Sequence, residues 1–232
     1  MSADQSTNNL QIVATADGSN TIYNAQVGEN YHSRNGAVQE SRHVFLQAGL
    51  AYFFDLSPTP PSAVSILEVG FGTGLNFLLS ADLCTSREIK LDYTGIEAYP
   101  LSADMISQTG YEKYVNEATW RSFLQHYPAS LKTKIPLNPF VELQTAHSEL
   151  QAFTSLQKFD IIYFDAFAVA HQPEMWNEAA ITHTLSFLKP SGVFVTYAIT
   201  GNLKRIIKAL GLKVEKAPGA PGKREMLRAI FS

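Results

Sequence analysis

At 232 residues and 25.6 kDa, the chain is long enough for one domain with a sizeable core. A composition of 45% hydrophobic, 11% aromatic and 17% charged residues excludes a disordered, collagenous or coiled-coil protein. The net charge of −3 conceals an asymmetry: residues 201–232 carry eight Lys and Arg against two Glu, and the preceding 200 residues carry 10 against 19.

No apolar run approaches the ~18 residues needed to cross a bilayer. The polar start MSADQSTNNL lacks the basic-then-apolar build of a secretory leader. A single cysteine, Cys84, excludes an internal disulfide framework and a cysteine-based zinc site. A cytoplasmic protein with no membrane contact is expected. The basic tail fits either an anionic partner such as nucleic acid or a solvated face, and charge alone leaves both open.

In chain order, β-prone runs at Leu10–Thr15 and Thr21–Ala25 flank Asp17-Gly18-Ser19-Asn20 and predict a hairpin. Apolar spacing predicts a helix over Val38–Phe54, stopped by Leu56-Ser57-Pro58-Thr59-Pro60-Pro61. Residues 1–60 therefore read as a hairpin-and-helix extension on a core of residues 61–232. In that core strands alternate with helices: strand Ser65–Val69, helix Leu75–Leu83, strand Ile89–Ile96, one or two helices within Leu101–Tyr127, strand Phe140–Thr145, a short helix Ser148–Phe153 and strand Asp160–Phe164. A helix Glu174–Leu188 with Pro173 and Glu174 at its first turn follows, then strand Val193–Ala198. The next helix has Asn202 as its expected cap, Leu203, Ile206, Ile207 and Leu210 on one face, Lys204, Arg205 and Lys208 on the other, and Gly211 as its stop. Strands Leu212–Lys216 and Glu225–Phe231 close the chain. This alternation predicts an α/β fold with a mainly parallel sheet covered on both faces, its ligands at the carboxyl ends of the strands.

The loop after the first parallel strand, ILEVGFGTGLNF at residues 66–77, carries the strongest local signal. Gly70, Gly72 and Gly74 allow a sharp turn and close approach of backbone to a ligand at a helix N-terminus. The third glycine follows the first by four residues, one short of the dinucleotide fingerprint. With Glu68 ahead of it, E-x-G-x-G-x-G resembles the first motif of Rossmann-like S-adenosylmethionine methyltransferases. Glu97 stands 23 residues beyond Gly74, near the distance at which an acid meets a ribose diol in nucleotide-binding α/β folds. Asp165, after the buried strand in FDIIYFDAF, stands where a reacting group is expected, with Phe167 beyond it to stack on a base. Met175 and Trp176 read as core or pocket wall, at least one of them core. The six histidines show no metal-ligand spacing, and Cys84 reads as packing.

Four separated motifs, YHSRNGAVQESRHVFL, GFGTGLNF, FDAFAVAHQPEMW and GKREMLRA, together resemble the methyltransferase domain of the MnmC family, from about Tyr23 to Phe231. That family makes 5-methylaminomethyl-(2-thio)uridine at the tRNA wobble position. The resemblance implies a seven-stranded Rossmann-like class I fold. It implies transfer of a methyl group from S-adenosylmethionine to the amine of 5-aminomethyl-(2-thio)uridine, with no metal and no flavin. The partner implied is a tRNA anticodon stem-loop whose aminomethyl group separate enzymes supply. The family's flavin-dependent half has no room here, so a stand-alone form is expected.

Carried over residue by residue, the resemblance makes Asp165 the catalytic group. Glu68, Gly70, Phe71, Gly72, Gly74, Asn76, Glu97, His147 and Tyr31 become cofactor residues, and Phe167, Lys204, Arg205, Lys223 and Arg224 substrate residues. The N-terminal segment also places Ser33, Asn35 and Glu40 near the site. Two departures stand out. His147 in QTAHSEL occupies the place of the acid that meets adenine in relatives, and Val169 in AFAVA replaces a common proline. The rival expectations are an aminopropyltransferase of the spermidine synthase kind and a silent S-adenosylmethionine- or RNA-binding module.

Overall fold

The computed structural model describes residues 9–59 and 61–231; most of the polar start, and Pro60 of the helix-stopping run, lie outside them. The hairpin forms as β1 (Leu10–Ala14) and β2 (Asn20–Asn24). Its turn is tied by Asp17, whose Oδ1 accepts from the Ser19 amide, the Ser19 hydroxyl and the Thr15 hydroxyl. Asp17 Oδ2 accepts from Gln39 N at 2.9 Å, joining the turn to the helix that follows. A two-residue strand β3 (Glu29–Asn30), absent from the sequence pattern, pairs with β2.

The helix expected over Val38–Phe54 is present but not uniformly α. It runs as α1 (Ala37–Ser41), a π-helical stretch Arg42–Ala51 and α2 (Tyr52–Asp55). Its Val44, Phe45, Leu50 and Phe54 are buried in one core with Ile66, Phe77, Ile161 and Val195, so the N-terminal segment shares its hydrophobic core with the sheet. Each such large apolar side chain, fully buried, stabilises the fold by about 1.5–3 kcal/mol.

The main sheet contains β4 (Ala63–Val69), β5 (Lys90–Glu97), β6 (Ile135–Asn138), β7 (Val141–His147), β8 (Phe159–Phe164), β9 (Leu188–Thr196), β10 (Leu212–Pro218) and β11 (Glu225–Phe231). Its order is β10-β11-β9-β8-β4-β5-β7-β6. That makes eight strands where seven were expected. The additional strand β6 carries Pro136 and lies at the sheet edge, the place where a missing N–H is tolerated and where the apolar pattern is weakest. The five central strands pair parallel, and both edges are antiparallel.

Helices α3 (Leu75–Ser86), α4 (Ala103–Ser107), α5 (Glu117–Ser130), α6 (Glu178–Leu185) and α7 (Gly201–Ala209) complete the fold. Two start signals shift. The helix expected from Glu174 begins at Glu178, because the Asn177 side chain caps Ala180 N and Pro173–Trp176 forms a separate 3₁₀ turn. Thr200, rather than Asn202, caps α7 by accepting from Leu203 N at 3.1 Å. Gly211 ends that helix region at φ +86°, as expected. From β4 the chain proceeds to β5 and β7 on one side and later to β8 and β9 on the other. The switch point therefore lies between β4 and β8, and a crevice forms at their carboxyl ends. Among the described residues no helix is long and apolar enough to cross a membrane.

Candidate active site

At that switch point lies a cavity of about 1370 Å³. Strand register sets its floor. Val69 stands opposite Phe164, and Glu97 opposite His147, so the loops after β4, β5, β7 and β8 open along one edge. Asp165 N donates to Val69 O at 2.9 Å and Gly70 N to Ile96 O at 3.0 Å, locking the first and fourth of these loops to the sheet.

Two glycines earn their place in that floor. Gly70 has φ +85°, and a Cβ there would stand 2.5 Å from the carbonyl oxygen of Asp165; Gly72 has φ +53°, and its Cβ would meet the Tyr31 ring at 2.9 Å. Glycine at both positions lets the loop after β4 pass directly under the residues above it. Glu97 accepts from Gly72 N at 2.9 Å and from Tyr99 N at 3.0 Å, and a carboxylate with two bonds keeps lone pairs for further donors. Burial pushes its carboxyl up, and those backbone N–H groups partly offset the rise.

Of the expected site residues, Gly70, Phe71, Gly72, Glu97, Tyr31, His147, Asp165, Phe167 and Lys223 line the cavity, as do Ser33 and Glu40. Phe71 lines it with little more than backbone: its ring is 2% exposed and stacks on Tyr127 at 5.9 Å. Three expected cofactor residues are not on the wall. Gly74 faces Phe123, where a Cβ would stand 2.7 Å from the ring. Glu68 is fully buried, and Asn76 is 3% exposed. They lie behind Asp165: Asn76 Nδ2 donates to Glu68 Oε1 and to Asp165 Oδ2, both at 2.8 Å, and Tyr93 donates to Glu68 Oε2 at 2.8 Å. An inward side chain on a buried strand is screened from any ligand, which is why the acid before the glycines serves the loop rather than the cavity. Asn35 is also off the wall and packs against the turn at Gly222.

The N-terminal segment roofs the cavity. Glu29 accepts from Ala168 N at 2.9 Å, and the His171 ring meets Val27 O at 3.0 Å, clamping β3 to the loop after β8. Tyr31 packs edge-on to Phe167 with centroids 5.1 Å apart. Glu40 accepts from Ser33 N at 2.9 Å and from Lys223 Nζ at 2.7 Å. Lys223 was expected to meet the substrate together with Lys204, Arg205 and Arg224. Instead it turns inward, because Glu40 and the Tyr197 ring, 3.9 Å away, form a partner for its ammonium. Lys204 is half-buried, and Arg205 and Arg224 are exposed on the outside; none of the three has an ion-pair partner among the described residues. Elsewhere in the basic tail Lys213 and Arg228 pair with Glu215, and Lys216 with Glu225.

Sequence reading missed Glu29, Asn30 and Tyr197 on the wall. Nothing local marks Glu29 or Asn30, whereas Tyr197 follows β9 by one residue, a strand-end position that could have flagged it. Of the Met175 and Trp176 pair, Trp176 is core at 4% exposure and Met175 lines the cavity.

The lining is acidic: Glu29, Glu40, Glu97, Glu149, Asp165 and Glu174 against Arg34 and Lys223. Burial first, then the charge of Glu40, pushes the Asp165 carboxyl up to about 8, against the pull of the Asn76 amide and Lys223. Burial holds Glu68 well above the usual carboxylate range, and it pushes His32, a buried residue of the lining, down to about 4 and hence neutral. Asn30, on the wall, carries a buried Oδ1 with no donor among the described residues. A ligand that is cationic, brings N–H donors and carries a diol suits this set of groups. Among the described residues no cluster of three or more His, Cys, Asp or Glu is arranged to hold a metal ion.

Residues 113–232 match the family described as S-adenosyl-L-methionine-dependent methyltransferase. The chain is 30% identical over 227 residues to the tRNA 5-methylaminomethyl-2-thiouridine biosynthesis bifunctional protein MnmC of Methylobacillus flagellatus, covering 90% of this chain and 34% of that protein. It is 33% identical over 211 residues to the protein of the same name from Pseudomonas savastanoi pv. phaseolicola, covering 87% and 32%. The chain thus spans about a third of the length of these relatives. The crystal structure of MnmC2 from Aquifex aeolicus superposes with a TM-score of 0.74 at 21% identity, over 95% of this chain and 70% of that one. A probable spermidine synthase from Corynebacterium glutamicum gives 0.53 at 16%, over 96% and 76%. At such identities these two likenesses concern the fold alone. The family match spans more than half of the chain, and with it the chain belongs to the S-adenosyl-L-methionine-dependent methyltransferases.

Proposed function

We propose that this chain methylates the primary amine of 5-aminomethyl-(2-thio)uridine at the wobble position of tRNA, giving 5-methylaminomethyl-(2-thio)uridine. The observation that carries this reading is the placement of Asp165: a carboxyl at the switch point, against Gly70, in an acid-lined cavity roofed by Tyr31. Bound S-adenosylmethionine supplies an electrophilic methyl group on a sulfonium centre. The loop Gly70–Gly72 would cradle that cofactor, Glu97 would accept from its ribose hydroxyls, and His147 with Glu149 would border the adenine, since all of them line the cavity.

An alkylammonium has no lone pair, so the acceptor amine must reach the sulfonium neutral. Asp165 accepts a hydrogen bond from the amine and aims its lone pair in line with the methyl carbon. As the new N–C bond formed, the methyl–sulfur bond would break with its electron pair left on sulfur as the neutral thioether of S-adenosylhomocysteine, the nitrogen would turn cationic, and the carboxylate would take the surplus proton. A carboxyl held near 8 is matched to that exchange. Phe167, steadied by the Gln172 side chain on its N–H and the Trp176 indole on its carbonyl, offers a ring face to the extruded uridine. Lys204, Arg205 and Arg224, outside the cavity, position backbone phosphates of the anticodon stem-loop without reading sequence.

Methyl transfer from labelled S-adenosylmethionine to tRNA bearing 5-aminomethyluridine tests the reading, with Asp165→Asn in parallel and free polyamine as control acceptor. Label in the wobble nucleoside, reduced at least ~100-fold by Asp165→Asn, is expected. Cofactor binding without label in tRNA overturns the reading, and methyl label entering the polyamine instead points to a small-amine methyl acceptor, which the acidic lining would also accommodate.

A further inference from the structure

Asn76 follows the glycine loop in the first turn of α3, yet its side chain turns away from the cavity and under Asp165. Its two amide protons go to two different carboxyls, Glu68 Oε1 and Asp165 Oδ2, each at 2.8 Å. Its own Oδ1 is buried and has no donor among the described residues. The reverse orientation would set Oδ1 against two carboxyl oxygens and is satisfied only when both carry protons. Asp165 Oδ1 receives no hydrogen bond from the described residues, so one oxygen is fixed from behind and the other remains for a ligand.

The anchor beneath is Glu68, fully buried and joined otherwise, among the described residues, only to the Tyr93 hydroxyl at 2.8 Å. No cation pairs with it among the described residues. Desolvation, and then the charge of Asp165, hold this carboxyl well above the usual carboxylate range. A proton on Oε2 reverses the bond with Tyr93 and leaves Oε1 as acceptor for Asn76. An uncharged anchor matters, since a second full charge behind Asp165 would oppose its ionisation.

We propose that Asn76 is a positioning residue of the methyltransferase site: anchored on Glu68, its amide holds Asp165 Oδ2 and favours the ionised carboxylate facing the sulfonium and the acceptor amine. This rests on the reading that Asp165 faces the reacting groups, and it deepens that reading by assigning what orients the carboxylate. The other ionisable groups acting on Asp165 are Glu40 from α1, Glu29 from β3, Glu68 from β4, Tyr93 from β5, Tyr197 after β9 and Lys223 from the loop between β10 and β11. Asn76 is the one neutral side chain among the described residues that donates directly to its carboxyl.

The test needs no acceptor. Affinities for S-adenosylmethionine and S-adenosylhomocysteine are measured by calorimetry from about pH 5.5 to 9.5, and their ratio is followed. The two ligands differ by the sulfonium charge and share every other titrating group, so the ratio reports the carboxylate near that charge. In wild type, preference for S-adenosylmethionine is expected to grow with pH, and Asp165→Asn is expected to flatten it.

Removing a hydrogen bond to a charged group is expected to move the rise upward by about one to two pH units in Asn76→Ala. Asn76→Ser, whose single O–H serves only one carboxyl, is expected to fall between, and it decides the matter if Asn76→Ala fails to bind S-adenosylhomocysteine at pH 8. A rise at the wild-type pH in the folded variant overturns the proposal, as does a ratio that is flat in wild type. A merely structural Asn76 would weaken both ligands together and leave the rise in place. Because tRNA is absent, an enzyme with a different acceptor passes this test and fails the labelling experiment, so the two readings fail separately.

Discussion

Lys223 Nζ lies 2.7 Å from Glu40 Oε1 and 3.9 Å from the centre of the Tyr197 ring. The contact joins the N-terminal helix to the loop between the last two strands across the cavity roof. Removing the cation with Lys223→Ala leaves Glu40, whose side chain is 10% exposed, without its charged partner. A loss of about 1–3 kcal/mol in denaturant unfolding is expected. The salt dependence of RNA binding should stay as in wild type. Lys204→Ala, Arg205→Ala and Arg224→Ala are expected to do the opposite, each lowering the slope of log affinity against log salt by about 1 with stability unchanged. Salt titrations of tRNA binding separate the two groups, and a reduced slope for Lys223→Ala would contradict its inward role.

Asp165 sets one pH dependence of folding. Its carboxyl, raised from 3.8 to about 8 in the folded chain, binds its proton more tightly there than in the unfolded chain. The stability from that proton is complete below 3.8 and is lost as pH rises through about 8. The stability of wild type minus that of Asp165→Asn is therefore expected to fall between these limits and then level. Urea unfolding at a series of pH values measures it; a difference independent of pH would show that Asp165 is as free to ionise in the fold as in water.

His32 acts in the other direction. Buried and bonded to Thr21, it has its pKa lowered from 6.5 to about 4. Its contribution is present above 6.5 and is lost as pH falls through about 4, since the unfolded imidazole takes up a proton that the folded one resists. His32→Gln keeps a polar partner for Thr21 and cannot charge, so it is expected to remove this part of the acid slope. The same urea series between pH 4 and 7 checks it.

The two glycines of the cradle should respond differently to alanine. At Gly70 the new Cβ meets the backbone of Asp165, whereas at Gly72 it meets the ring of Tyr31, which can rotate away. Gly70→Ala is expected to cost about 2–4 kcal/mol from left-handed strain and overpacking together. Gly72→Ala is expected to cost about 1 kcal/mol and to weaken S-adenosylhomocysteine binding by opening the Tyr31–Phe167 contact. Thermal unfolding and calorimetry read the two effects, and equal destabilisation by both would contradict the geometry.

Most of the sheet was legible because a buried parallel strand is a continuous apolar run and the loop after it is punctuated by glycine or an acid. Ser65–Val69, Ile89–Ile96 and Asp160–Phe164 were each found to within two residues of the observed strands at either end. β6 was not, since its four residues include a proline and none of them is fully buried. The π-helical winding of Arg42–Ala51 leaves no distinct mark either: its apolar spacing fits a helix, and its packing against β8, β9 and α3 is made by segments distant in sequence.

The sequence by itself determined which loops line the cavity. Gly70, Gly72 and Asp165 follow strands in parallel register and Glu97 ends one, and the fold brings the carboxyl ends of those parallel strands to one edge, so order along the chain translates directly into place. Tertiary structure alone decided where side chains of the same type point. Glu68 and Asp165 are both acids at strand ends, yet one is sealed beneath Asn76 and the other opens to the cavity. Lys223 and Arg224 are adjacent cations, yet one turns in to Glu40 and the other stays outside. Alternate residues of an extended chain face opposite ways, and a charge settles toward whichever partner lies across the space. That partner comes from a segment about 180 residues away, beyond the reach of any local pattern.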